Sequence, residues 1–153
     1  MPFSGGDAAA EKDMPPGIVS LHQVFPDGSD GGRLAMPLTH PGTSRTLYVR
    51  KIPVLSSREF KKVSFEDGAM DDTQVLVAEL DRRGRMRWMQ TCVELSNTYI
   101  AVLVDSKYQF MWRIPRPAEA DEENLRIHGP WDAELTDAIR ARAAENYRRL
   151  NKN

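Results

Sequence analysis

The longest wholly apolar run of this chain is Tyr-Ile-Ala-Val-Leu-Val at residues 99–104, and it sets the first constraint on the fold. Six residues fall far short of the roughly 20 needed to cross a bilayer. The run therefore reads as a strand buried on both faces, not as a membrane segment. Asp105-Ser106-Lys107 follows as a tight turn into a partner strand over residues 108–114, which Pro115 and Pro117 end.

Two long amphipathic segments flank that hairpin. Residues 81–96 open on Asp81 as a helix cap and carry Met86, Met89, Cys92 and Val93 at spacings of three and four, which predicts one apolar stripe. Residues 132–150 open on Asp132 and set Leu135, Ile139, Ala143, Tyr147 and Leu150 on one face. Strands are expected at 18–25, 34–38, 46–52 and 74–80, with shorter ones at 63–65 and 125–128. Ser56-Ser57-Arg58-Glu59 is a capping box with Leu55 and Phe60 as its hydrophobic staple, which predicts a short helix over about 57–62.

Two apolar stripes need a sheet face to cover. The expected architecture is α+β, an antiparallel or mixed sheet with two long helices packed on one face. At 153 residues the chain has little room for a second core. Residues 1–45 hold seven of the ten glycines and six of the ten prolines, which is loop chemistry. A flexible leader is therefore expected at 1–17 and a single domain at 18–153, with its core over 46–150.

The chain carries 21 Lys+Arg against 22 Asp+Glu, a net charge of −1, so no overall field would hold a polyanion. Its single cysteine, Cys92, cannot form an intrachain disulfide and reads as a small core hydrophobe. There is no Gly-rich phosphate loop, Cys/His cluster, nucleophile elbow or His-Glu-x-x-His motif. His22, His40 and His128 have no partner spacing and read as surface or satisfied structural histidines. Asp71-Asp72 and the acidic stretch 119–123 lack the spacing of a calcium loop and read as solvated loops. The expectation is a protein that is no enzyme and uses no cofactor or metal.

Arg82, Arg83, Arg85 and Arg87 depart from that bland picture, because cations at a helix N-terminus oppose the macrodipole. Trp88 adjoins them, and Tyr108, Phe110 and Trp112 alternate along one strand, which is expected to aim all three at one sheet face. On an open face these side chains would form a platform for single-stranded nucleic acid. Beneath helices they would be core, which the even charge balance favours.

Residues 48–56 (Tyr-Val-Arg-Lys-Ile-Pro-Val-Leu-Ser), residues 75–84 (Val-Leu-Val-Ala-Glu-Leu-Asp-Arg-Arg-Gly) and Thr91 together resemble the periplasmic head subdomain of SecD/SecDF. Residues 100–105 (Ile-Ala-Val-Leu-Val-Asp) look like that family's Leu-Ala-Ile-Val-Leu-Asp-Gly-Lys strand and turn. Residues 127–131 (Ile-His-Gly-Pro-Trp) look like its Ile-x-Gly-x-Phe segment before the last helix. The likeness covers about 46–148. It departs at Ser106, where the family has the turn glycine, at Trp112-Arg113-Ile114-Pro115 after the hairpin, and at the arginine run, where the family's helix start is usually acidic.

In SecDF the membrane segments carry the proton-coupled step while the head contacts the emerging preprotein. This chain has no such segment, so the resemblance does not bring the motor with it. It implies a non-enzymatic, periplasmic or otherwise extracytoplasmic module that binds polypeptide or a partner protein, with a link to protein export. An exposed sheet edge or an apolar groove between sheet and helices would make the contact. The N-terminal Met-Pro-Phe-Ser-Gly-Gly shows neither a basic start nor an apolar h-region, so the compartment rests on the resemblance alone. Arg82, Arg83, Arg85, Arg87, Trp88 and Trp112 are the candidate binding residues. The alternative occupant of the same residues is single-stranded nucleic acid, and a third reading is a regulatory partner domain.

Overall fold

The computed structural model describes residues 14–26, 31–39, 45–121 and 123–152. Residues 1–13 of the expected leader, His40 and Glu122 lie outside the described residues. The elements run β1 (Val19–Gln23), β2 (Ala35–Thr39), β3 (Thr46–Arg50), β4 (Leu55–Ser56), β5 (Phe60–Asp67), β6 (Gln74–Leu80), α1 (Arg82–Leu95), β7 (Tyr99–Val104), β8 (Lys107–Arg113), β9 (Asn124–Gly129) and α2 (Ala133–Leu150). The α+β class is as expected. In place of one sheet, three antiparallel sheets form among the described residues, ordered β4-β1-β7-β8, β2-β3 and β5-β6-β9.

Every residue of β7 from Ile100 to Val104 is buried, as the apolar run requires. Ile100, Val102 and Val104 join Val19, Leu21 and Leu55 in the main core, while Ala101 and Leu103 face the opposite way. That second face is covered by the β2-β3 hairpin through Val49, Met36 and Leu38. Trp88 and Cys92 of α1 and Ile139 of α2 belong to the main core and not to the smaller cluster. Both helices thus stand on the same side of the four-stranded sheet.

The three-stranded sheet adds its inner face to the same core. Phe65 opposes Leu76, which opposes Ile127, and Val63, Ala78 and Leu125 align likewise. Strand period two then turns Glu66, Arg126 and His128 outward. Trp131 clamps the two sheets: its ring meets Phe110 edge-on at 5.0 Å and Phe65 at 5.7 Å, and its indole N–H donates to the Ile127 carbonyl at 3.1 Å.

Three local expectations are corrected. The helix expected at 57–62 is a 3-10 turn over Ser57–Glu59, because Phe60–Asp67 pairs with β6 and takes those backbone groups into a ladder. The capping box itself is formed, with Ser56 Oγ accepting from the Arg58 amide at 3.2 Å and Glu59 Oε2 from the Ser56 amide at 3.1 Å. The stripe of α1 is rotated: Gly84, Trp88, Thr91 and Cys92 are buried, while Met86 and Val93 are 65% and 66% exposed. Trp88 is the largest side chain on the helix, and burying it turns Met86 and Val93 outward while Met89 stays half-buried.

Tyr108 does not share a face with Phe110 and Trp112. The ladder steps from Val102↔Phe110 to Leu103↔Tyr108, so Gln109 is an extra residue and the side-chain alternation slips by one. Phe110 and Trp112 join the main core and Tyr108 the small cluster.

Residues 14–17 are tethered. The Asp105 carboxylate accepts the Gly17 and Ile18 amides at 3.1 and 2.9 Å, and Asn146 donates to the Pro16 carbonyl at 2.9 Å. The β7-β8 turn holds Asp105 and Ser106 at φ 51° and 67°, the pair of left-handed residues of a type I′ hairpin.

Two stability predictions follow from these positions. Ser106→Gly relieves the left-handed strain and is expected to raise stability by about 0.5–1 kcal/mol. A Cβ at Gly129 would stand 2.3 Å from the Phe110 ring, so Gly129→Ala forces the two sheets apart. It is expected to cost about 1–3 kcal/mol. Urea denaturation midpoints at constant m check both.

Candidate functional site

β8 and β9 are each the last strand of their sheet, and they meet along one seam where Phe110 lies over Gly129. Just beyond that contact the seam opens into a depression of about 390 Å³. Trp112 reaches it from β8 and Trp88 from α1, and the two indoles stack with centroids 5.7 Å apart and planes 17° from parallel. Asn124, Arg126 and His128 line the other side from β9, and Pro115, Ala120 and Asp121 come from the connection between the two strands.

Polar groups at the rim are held in place. Arg126 Nη1 lies 2.8 Å from Glu66 and its Nε 3.6 Å from Asp121. Asp121 Oδ1 accepts the Glu123 and Asn124 amides at 2.9 and 3.1 Å. These two amides, with Arg126 beside them, hold its carboxyl below the ordinary aspartate range. The Trp131 indole donates within the protein, whereas no acceptor for the Trp88 or Trp112 indole N–H is found among the described residues. The two terminal strand edges and the half-buried Trp112 indole can together take up main chain. No three His, Cys, Asp or Glu side chains converge to hold a metal among the described residues.

The six candidate residues do not form one platform. Trp88 is 2% exposed, and Trp112 is half-buried beside it. Arg83 lies 3.7 Å from Asp81 and donates to Asn151, and Arg87 lies 3.4 Å from Glu59. Arg82 and Arg85 are exposed and share the outward side of α1 with Met86 and Met89. Sequence reasoning missed Asn124, Arg126 and His128 as lining residues. Their alternation with Leu125, Ile127 and Gly129 carried the signal, since period two marks one polar face.

The sequence matches no protein-family model and no curated protein. The fold is similar to a solved structure of a membrane component SecDF that enhances protein export, with TM-score 0.60 and 10% identity over 92% of this chain and 68% of that one. It is similar also to SecDF in a super-membrane-facing form, with TM-score 0.57 and 10% identity over 90% of this chain and 20% of that one. This chain thus has the fold of a SecDF subdomain and spans about a fifth of the longer SecDF chain. No helix among the described residues is long and apolar enough to cross a membrane.

His22 is a satisfied structural histidine. It is buried on β1, its Nδ1–H donates to the Arg50 carbonyl at 2.6 Å, and Nε2 therefore accepts from the Ser20 hydroxyl at 3.0 Å. Burial lowers its pKa from 6.5, against the opposing pull of the Arg50 carbonyl. Between that depressed value and 6.5 the unfolded chain binds the proton more readily. The His22 contribution is thus complete above 6.5 and falls as the pH drops through that window. Glu59 acts oppositely: burial, opposed by the Ser56 amide and Arg87, raises its carboxyl above the usual range, so its contribution grows as the pH falls. The expected result is a His22 NMR titration midpoint below 6.5. A His22→Gln variant is expected to lose that part of the pH dependence of the melting temperature.

Proposed function

We propose that this protein is a non-enzymatic, extracytoplasmic polypeptide-binding module linked to protein export, and that the seam between β8 and β9 is where it holds chain. The observation that carries the reading is the open depression between two terminal strands with a tryptophan pair in its wall. An extended segment entering there adds main-chain hydrogen bonds to a strand edge, which is indifferent to sequence, while its apolar side chains lie on the Trp112 indole. Such a mode suits a module that meets many different chains. The SecDF-like fold supports the link to export.

The seam reading is favoured over single-stranded nucleic acid because Arg83 and Arg87 are engaged with Asp81 and Glu59, and Trp88 is buried. Nucleic-acid binding would weaken steeply with salt.

The test is titration of the full chain with a panel of extended peptides, read by tryptophan fluorescence. Binding is expected to weaken about tenfold or more in Trp112→Ala. It should weaken likewise in His128→Trp, an exposed position where the larger ring fills the depression and leaves the core untouched. Absence of association at about 1 mM peptide by the folded protein, or undiminished binding in both variants, overturns the proposal.

A further inference from the structure

The outward face of α1 carries a second, separate surface. Met86, Met89 and Val93 follow one another at spacings of three and four beside the buried face of Trp88 and Cys92, with Met86 and Val93 exposed and Met89 half-buried between them and the core. Met86 and Val93 are 65% and 66% exposed, so the stripe that pattern alone would assign to the core faces outward. Met86 and Met89 line a shallow depression of about 600 Å³ together with Arg85 and Glu123. A run of apolar side chains at helical spacing on a free helix face is the signature of a surface that a second element covers. Methionine suits a partner of variable sequence, because its unbranched thioether repacks at little cost.

Charge selects the partner. The four arginines of α1 divide into two pairs of different fate. Arg83 and Arg87 turn toward Asp81 and Glu59. Arg82 and Arg85 flank the methionine stripe, and no carboxylate partner for either is found among the described residues. They also stand in the first turn of the helix, where the backbone dipole is already positive, so their placement costs stability and concentrates positive potential at one end of the stripe. Glu123 also lines the depression, so the positive potential there comes from Arg82 and Arg85 against one carboxylate.

We infer that the α1 face of Met86, Met89 and Val93 with Arg82 and Arg85 docks an amphipathic helix of a partner protein whose apolar stripe is flanked by acidic residues. Its carboxylates lie toward the N-terminal end of α1 and its apolar side chains along the methionines. This surface goes beyond the peptide seam and does not depend on it, since it shares no residue with the seam.

The test uses the full chain and two designed helical peptides of about four turns, one with a leucine stripe flanked by glutamates and the other with the same stripe flanked by lysines. Fluorescence anisotropy is expected to show binding of the glutamate peptide in the micromolar range, weakening as salt rises. Binding should weaken about tenfold or more in Met86→Ser/Met89→Ser and by a similar factor in Arg82→Glu/Arg85→Glu, in which rising salt should no longer weaken the binding that remains but strengthen it. All four positions are outside the buried core, so unchanged melting temperatures certify the fold. Trp112→Ala is expected to leave this affinity unchanged, which separates failure here from failure of the seam.

Equal affinity for the lysine peptide, or no loss in either double variant, overturns the inference. Two further results also overturn it. One is binding to phosphatidylglycerol vesicles with no binding of the glutamate peptide. The other is concentration-dependent dimerisation that Met86→Ser/Met89→Ser removes.

Discussion

A strand with five consecutive buried residues cannot be served by one layer. β7 has that property, and most of the remaining structure answers it. One face is met by the helices and the three-stranded sheet, the other by the β2-β3 hairpin with Val49 at its centre. Each partner strand of β7 then inherits two different neighbours on its two faces. The bulge at Gln109 lets β8 serve both, sending Phe110 and Trp112 to one core and Tyr108 to the other. Because Phe110 must lie directly over Gly129, β8 and β9 converge at that point and diverge beyond it, and the divergence is the depression between them.

A polar knot fixes where the helices begin and end. Asp81 caps α1 through the Gly84 amide at 2.8 Å and accepts the Tyr147 hydroxyl of α2 at 3.0 Å. Asn151, just past α2, donates to the Arg58 carbonyl at 2.8 Å, and Glu59 caps the 3-10 turn beside it. Gly84 permits this closeness, since a Cβ there would stand 2.8 Å from that of Glu59. The knot consumes Arg83 and Arg87 as charge partners for two carboxylates that are nearly buried. What is left over, Arg82 and Arg85, is therefore the part of the arginine run that structural needs do not explain.

Much of the fold was legible. The capping box at Ser56, the Asp81 cap, the doubly buried strand and the hairpin turn at Asp105 are local signals, each set by residues within a few positions, and each is present. The misreadings share one cause. Val93 and Met86 are as apolar as Cys92, so spacing alone cannot say which side of α1 faces inward; the size of Trp88 and its stack on Trp112 decided that. Residues 60–62 lost their helix to pairing with a strand more than ten positions away. Of the site, the two tryptophans were legible as prominent side chains, but the groups opposite them, Asn124, Arg126 and His128, come from another sheet.

The sequence by itself determined most of the strands, the two long helices and where those helices would be capped, because these follow from residue type and spacing along a few turns or strand steps. The tertiary structure alone decided how one expected sheet became three and which face of α1 stayed in water. It also decided that two strand edges end side by side over a pair of indoles. Those outcomes depend on how large side chains from distant segments share the same volume, and no local pattern encodes that.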